Sequence, residues 1–389
     1  MAGKKYMGLV LATIVILASA ALIYSQQSST KENSTSKDTF YFGVSFGGDT
    51  PQEAKTLIDR VKNYTNFILI NSYPLMTNET ALNEVCDYAF QANLKFVVYF
   101  QFISRIAHPW HQLWLDTAEQ RWGDMFLGVH FMDEPGGKQI DTREPVTNAS
   151  SYGDAANQFI YNISASNSMI DAKNKSISTF TSDYALYWWD YLAGYDTVFV
   201  ELGWGLSSTR QIALCRGAAD MQGKDWGAII VWTYNDPPYL ASAQEIYADM
   251  LSAYTAGARY VVMFNYPTYP EGNPYGILSE EHLAAMEEFW NYTAENPREN
   301  GGIVHGDVAL VLPKDYAWGM RHNQYITNDK IWGLWPEDEK APLIRDNTEK
   351  LLNEYGLQLD IIYEDEKLDY NGKYSRVFLW NATQIDLPP

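Results

Sequence analysis

Two acids stand side by side in GVHFMDEPGG, Gly128 to Gly137, where an apolar, β-prone run ends in Asp133-Glu134-Pro135 and two glycines. A carboxyl group beside a like charge and behind an apolar run should hold its proton more tightly, which suits one of the pair to general acid/base work. A second carboxylate must come from another segment. Glu201 is the first candidate, because in VFVELGWG an acid interrupts an apolar strand just before its end, where an unpaired charge is costly. Asp236, in WTYNDPP, is the second and Asp183 the third. Each also has a plainer reading. Asp133-Glu134 could be a solvated strand end, Glu201 half of a buried ion pair, and Asp236 a turn former before Pro237-Pro238.

The surrounding elements decide where these acids sit. From residue 40 the chain alternates apolar runs with amphipathic stretches, and strands are expected at 40–46, 67–72, 95–102, 126–132, 176–181, 197–202, 228–234 and 259–265. Helical stretches such as PQEAKTLIDRVKNY, NETALNEVCDYAFQAN and SEEHLAAMEEFWNYTAEN lie between them, with capping residues at Thr50, Asn78 and Ser279. Near-continuous apolar strands separated by helices imply a parallel sheet covered on both faces. Eight such units match a (β/α)8 TIM barrel over residues 40–300. A doubly wound open sheet is the competing fold. Against it, Gly47-Gly48 is followed by Asp49, which would repel a phosphate, and no Gly-rich loop calls for a nucleotide. No cofactor is expected. After residue 300 the pattern restarts as a small α/β, flavodoxin-like unit over 301–389, with strands expected at 307–312, 357–363 and 375–380 and a helix at 341–355.

Barrels do chemistry at the C-terminal ends of their strands. Those ends supply Asn71 and Tyr73, Gln101, Asp133 and Glu134, Asp183, Glu201 and Trp204, then Trp232, Tyr234 and Asp236. Carboxylates, amides and aromatic rings on one rim suit a sugar, whose C–H face stacks on Trp or Tyr and whose hydroxyls bond the polar groups. Trp204 and Trp232 are the expected platforms. Asp133, Asn71, Gln101, Asp183 and Tyr234 are the expected hydroxyl partners. Hydrolysis of a glycosidic bond needs two carboxyl groups, one protonated and one ionised, and Glu134 with Glu201 or Asp236 would supply them.

MDEP at the end of the fourth strand resembles the Asn-Glu-Pro signature of the large retaining glycoside-hydrolase clan of (β/α)8 barrels. That resemblance implies an acid/base role for Glu134. A barrel followed by a small α/β domain is also similar to the organisation of some microbial β-galactosidases. Two departures stand out: Asp133 replaces the clan's Asn, and the clan's seventh-strand Glu nucleophile has no counterpart, since Tyr234-Asn235-Asp236 stands there. A catalytically silent carbohydrate-binding or cell-envelope barrel is therefore a second reading. A third is a metal-dependent polysaccharide deacetylase, which requires His108, His111 and Asp133 to converge. HPWH lacks the spacing of a helical zinc motif, so no metal is expected, and His130 reads as a hydrogen-bonded residue inside the barrel.

The N-terminus places this body outside the cytoplasm. Lys4-Lys5 precede an uncharged run, Tyr6 to Tyr24, long enough to span a bilayer as a signal anchor, with Ala18-Ser19-Ala20 as an alternative cleavage site. Residues 25–39 are a polar linker. Eight Asn-x-Ser/Thr sequons, at Asn33, Asn63, Asn78, Asn148, Asn162, Asn174, Asn291 and Asn381, fit an extracellular glycoprotein. A net charge of −20 argues against nucleic acid. Cys86 and Cys215 are too few for a disulfide framework.

Overall fold

The computed structural model describes residues 39–103, 106–142, 146, 148–235, 238–264, 279–299, 302, 304–316, 339–365, 370 and 372–385. The Tyr6–Tyr24 run and Asn33 lie outside them. In chain order the first half comprises β1 (Tyr41–Phe46), α1 (Pro51–Val61), β2 (Phe67–Ile70), α2 (Tyr73–Met76), α3 (Glu79–Gln91), β3 (Lys95–Tyr99), α4 (Trp110–Trp122), β4 (Phe126–His130), α5 (Pro135–Thr142), α6 (Tyr152–Ser164), α7 (Asn167–Asn174) and β5 (Thr179–Asp183). There follow α8 (Tyr187–Ala193), β6 (Thr197–Leu202), α9 (Ser208–Gln222), β7 (Asp225–Ile230), β8 (Thr233–Asn235), β9 (Pro238–Leu240), α10 (Ala243–Thr255), β10 (Tyr260–Met263) and α11 (Glu280–Glu295). The expected caps form: Thr50 and Glu53 close a capping box, and Asn78 Oδ1 accepts from the Ala81 N–H at 3.1 Å.

Eight strands, all parallel, close a barrel in the order β1-β10-β7-β6-β5-β4-β3-β2. Alternation along each strand sends one set of side chains into the lumen and the other toward the helices. The lumen is plugged by Phe67, Phe180, Phe199 and Tyr260, whose ring centroids lie 5.6–5.8 Å apart for the Phe67–Tyr260, Phe199–Tyr260 and Phe180–Phe199 pairs. The next inward step toward the C-terminal mouth is polar: Tyr99, His130, Ser182 and Glu201.

Several strands sit differently from the sequence expectation: the third, expected to reach residue 102, ends at Tyr99, and the fourth, expected to reach 132, ends at His130. The seventh ends at Ile230 rather than Tyr234, and Thr233–Asn235 instead pairs antiparallel with Pro238–Leu240 as a short hairpin. The apolar run WGAIIVWTY has no internal stop, so sequence alone gives no cue that it leaves the sheet. The fifth begins at Thr179 because Ser176 adopts a left-handed backbone, and it runs on to Asp183.

The C-terminal unit adds β11 (Val308–Leu312), α12 (Ala341–Tyr355), β12 (Leu359–Tyr363), β13 (Arg376–Leu379) and β14 (Gln384–Ile385). Its four strands run β12-β11-β13-β14, the first three parallel and the last pair antiparallel, so the described sheet is mixed and does not establish the expected flavodoxin-like unit. It packs on α9. Arg216, almost fully buried, donates from Nε to Asp360 Oδ1 at 2.7 Å and from Nη2 to the Leu357 carbonyl at 2.7 Å. Gly217 lies so close to the Ile361 carbonyl that a Cβ there would stand 2.8 Å away.

Candidate functional site

The acid pair does not lie on an open strand end. After β4 the chain crosses to β5 and is tied to it residue by residue. The Phe131 N–H donates to the Phe180 carbonyl at 3.1 Å, and the Glu134 N–H to the Ser182 carbonyl at 2.9 Å. The Thr181 hydroxyl donates to the Met132 carbonyl at 3.0 Å. Met132 and Glu134 both adopt φ of +53°. A left-handed backbone at a residue with a long side chain costs on the order of 1–2 kcal/mol and persists only where the surroundings impose it. Leu186 and Trp204, after β5 and β6, share this conformation, so four strained residues ring one mouth of the barrel.

Pro135-Gly136-Gly137 forms the first turn of α5. Its cap comes from β5. Asp183 accepts from the N–H groups of Gly136 at 2.5 Å, Gly137 at 2.8 Å, Tyr184 at 2.8 Å and Ala185 at 3.1 Å. Both glycines are forced by this packing, because a Cβ at Gly137 would stand 2.1 Å from Tyr184 Cζ and one at Gly136 2.4 Å from the Ala185 carbonyl oxygen.

Inside the mouth, Asp133 Oδ1 accepts from the Ser182 hydroxyl at 2.5 Å and lies 3.8 Å from His130 Nε2. His130 is completely buried, flanked by the Tyr99 and Phe199 rings, and neither ring nitrogen has a hydrogen-bond partner among the described residues. It points into the barrel as expected, but without the expected hydrogen bonds. Burial pushes its pKa down to about 4 against the pull of Asp133, so the imidazole is neutral. Burial also pushes the Tyr99 phenol well above its usual value, and the charges of Asp133 and Glu134 add to that, which puts all three at one locus. Glu201 is buried, 5% exposed, opposite Ile229 and one inward step above Phe199. Tyr99 and Ser182 were absent from the sequence candidates. Counting every second residue from Val97 and Phe180 would have found them, given correct strand registers.

The other candidates separate. Asn71 and Gln101 are half-buried beyond the ends of β2 and β3. Trp204 is half-buried, edge-on to Tyr184 at 6.0 Å. Tyr73, more than half exposed, offers a further ring on the rim, and it acts on Tyr99. Trp232 is corrected. It is fully buried, lies tilted against the His282 ring at 5.2 Å and donates from its indole to the Phe264 carbonyl at 2.7 Å, so it has no face for a sugar. Asp183 is also corrected, since it is fully buried, faces the helix layer and spends its oxygens on backbone N–H groups. Tyr234 contributes backbone to β8, but its side chain lies outside the described residues, as does Asp236.

Among the described residues, no group of three His, Cys, Asp or Glu side chains comes together as metal ligands would. His111 Nε2 is taken by the Met76 carbonyl at 2.8 Å. The convergence of His108, His111 and Asp133 demanded by the deacetylase reading is not formed. A groove of about 840 Å³ lined by Asp116, Asp124, Asp171 and Lys175 lies at the opposite end of β4, away from the acid pair. Among the described residues no helix is long and apolar enough to cross a membrane. Cys86 and Cys215 are buried free thiols.

No family model matches this sequence, and no curated protein matches it. Similar solved structures include the endo-β-1,4-mannanase of Thermotoga petrophila, 9% identical with a TM-score of 0.44 over 68% of this chain and 79% of that one. The endo-1,4-β-xylanase of Caldicellulosiruptor owensensis is 11% identical, TM-score 0.43, over 65% and 98%. A 3-hexulose-6-phosphate synthase is 14% identical, TM-score 0.35, over 63% and 99%. Likenesses this distant, spread over unrelated reactions, do not choose a chemistry. The site's own geometry has to.

Proposed function

We propose that this chain hydrolyses glycosidic bonds of poly- or oligosaccharides, with Glu134 as general acid/base. One observation carries the reading: Glu134 is held in a strained backbone conformation, bonded to β5, at the mouth of a lumen whose uppermost layer is polar. Backbone strain of that kind collects at functional sites. Glu134 would protonate the leaving-group oxygen, and Glu201, rising from the lumen, would supply the second carboxylate, with Asp236 as the alternative. The neutral His130, the Tyr99 hydroxyl and the Ser182–Asp133 pair would bond sugar hydroxyls. Asn71, Gln101, Trp204 and Tyr73 would line the approach. The MDEP likeness to the retaining clan supports the role of Glu134. The export signal read from Lys4-Lys5 and the Tyr6–Tyr24 run supports action on extracellular glycans, from a membrane-anchored or secreted chain.

Glu134→Gln keeps the shape and removes the proton, so hydrolysis of a responsive glycan should fall by about 10²–10⁴-fold with folding unchanged. Unchanged turnover refutes the assignment. The silent-barrel reading has one observation in its favour: Val231-Trp232-Thr233 follow β7, and no carboxylate stands where the clan carries its nucleophile. It gains if wild type binds glycans and cleaves none across α- and β-linked panels.

A further inference from the structure

Of the eight sequon asparagines, all but Asn33 lie among the described residues, and every one of those is exposed. Exposure therefore does not choose among them; their surroundings do. Asn78 and Asn381 turn their side-chain oxygens to nearby backbone, accepting from the Ala81 N–H at 3.1 Å and the Thr383 N–H at 3.0 Å. Asn174 and Asn291 instead each line a groove. Asn174 is the last residue of α7, and the left-handed Ser176 turns the chain out of the helix. That leaves Asn174 on the wall of the groove of about 840 Å³, with Glu119, Asp124 and the half-buried Phe126 ring. Asn291 lies in α11, where Glu287, Glu288 and Glu295 share its face by helical spacing. With Tyr292 and with Tyr247 of α10 they line a second groove, of about 440 Å³.

The chemistry of the walls selects the occupant. In the first groove Lys175 is paired with Asp116, and among the described residues no lysine or arginine lines the second. Carboxylate walls of this kind repel phosphate and other anions. Among the described residues no three acids or histidines converge as metal ligands would. A neutral ligand fits both grooves, if it has C–H faces for the rings and hydroxyls to donate to the acids. Sugars have both, and the volumes fall within the roughly 300–1,000 Å³ of ligand clefts. An open groove binds a free sugar weakly, but a covalent tether raises the local concentration to the order of millimolar. We propose that Asn174 and Asn291 carry N-linked glycans whose first sugars lie in these two grooves. The donor would be an oligosaccharide activated as a lipid-linked pyrophosphate, used by a transferase of the exporting cell. The asparagine Nδ2 attacks the anomeric carbon, and the bond from that carbon to the pyrophosphate oxygen breaks. The lipid pyrophosphate leaves, and the amide gives one proton to a base of the transferase. Ser176 and Thr293 supply the hydroxyl of each sequon. Barrel helices run back from the mouth, so the ends of α7 and α11 stand at the opposite face and the glycans leave the mouth open. The proposal is thus independent of the glycosidase reading.

The test uses the full chain, purified from cells that N-glycosylate exported proteins, as wild type, Ser176→Ala and Thr293→Ala. Each variant keeps its asparagine and removes the sequon. Glycopeptide mass spectrometry should find sugar on Asn174 and Asn291 of wild type. It should be lost from Asn174 alone in Ser176→Ala, and from Asn291 alone in Thr293→Ala. Hydrogen exchange then reads the seating. Amides of residues 123–128 should exchange roughly threefold faster in Ser176→Ala than in wild type, and those of 284–295 roughly threefold faster in Thr293→Ala. The same three chains made in bacteria without N-glycosylation should exchange alike, which separates loss of the sugar from any loosening by alanine itself. A bare asparagine at either position in the glycosylating cells overturns the proposal. So does a glycosylated wild type whose exchange matches the variants, because its sugars would then stand in open solvent. None of these readouts depends on turnover of a glycan, so this proposal and the glycosidase reading fail separately.

Discussion

The turn after β4 and the hairpin after β7 stand on the same rim and are built in opposite ways. The first is bonded to a neighbouring strand at nearly every residue and caps its own helix with a buried acid from that strand. The second, Thr233–Asn235 against Pro238–Leu240, pairs mainly with itself, and its Leu240 is 56% exposed. Strain can be stored only where the surroundings over-determine the backbone, so the left-handed Glu134 belongs to the first region. A residue that must hold an acid/base geometry needs such a frame. The contrast is the physical reason for placing the general acid on the β4 side and seeking its partner on β6, a neighbour of β5, before the hairpin.

Glu201→Gln should break the comparison most strongly. As the second carboxylate it should cost about 10²–10⁴-fold in turnover with folding retained, measured on any glycan the wild type cleaves. A loss under threefold moves that role toward Asp236 and the hairpin. Gly137→Ala comes next. Its Cβ would overlap the Tyr184 ring, an overpacking worth about 1–3 kcal/mol in denaturant unfolding, with loss of activity from a displaced turn.

Smaller still is a pH effect. Asp183 binds its proton more tightly folded, about 7, than at its ordinary 3.8, and Asp190 shifts the same way. Stability from this pair is therefore full below about pH 4 and is lost as pH rises toward 7. His130 shifts the other way, from 6.5 to about 4, and its contribution is lost as pH falls through that window. Asp190→Asn removes one arm of this opposition. Its melting temperature relative to wild type should rise from pH 4.5 to 7.5, and a flat difference contradicts an Asp190 carboxyl whose proton is held by burial. Last, Leu240→Ala on the hairpin should change stability by no more than about 0.5 kcal/mol.

Much of this was legible in the chain. The eight strand runs, Thr50, Asn78 and Ser279 as caps, and the placing of Asp133-Glu134 at the fourth strand's end all follow from period and punctuation. What the sequence hid is non-local. Asp183 looked like a ligand group because it ends a strand, yet Gly136 and Gly137 reach it from 47 and 46 residues away. Trp232 looked like a platform because its run was extended too far along β7. Tyr99 and Ser182 were missed because the strand ends, on which the inward count depends, were misplaced by two or three residues.

The central claim is that Glu134 is the general acid at the barrel mouth. Its most direct test is the turnover of wild type and Glu134→Gln on one panel of α- and β-linked glycans, with melting temperatures recorded alongside. The account predicts cleavage by wild type, a drop of about 10²–10⁴-fold in the variant and a melting temperature within about 2 °C. Equal turnover of the two proteins would contradict it.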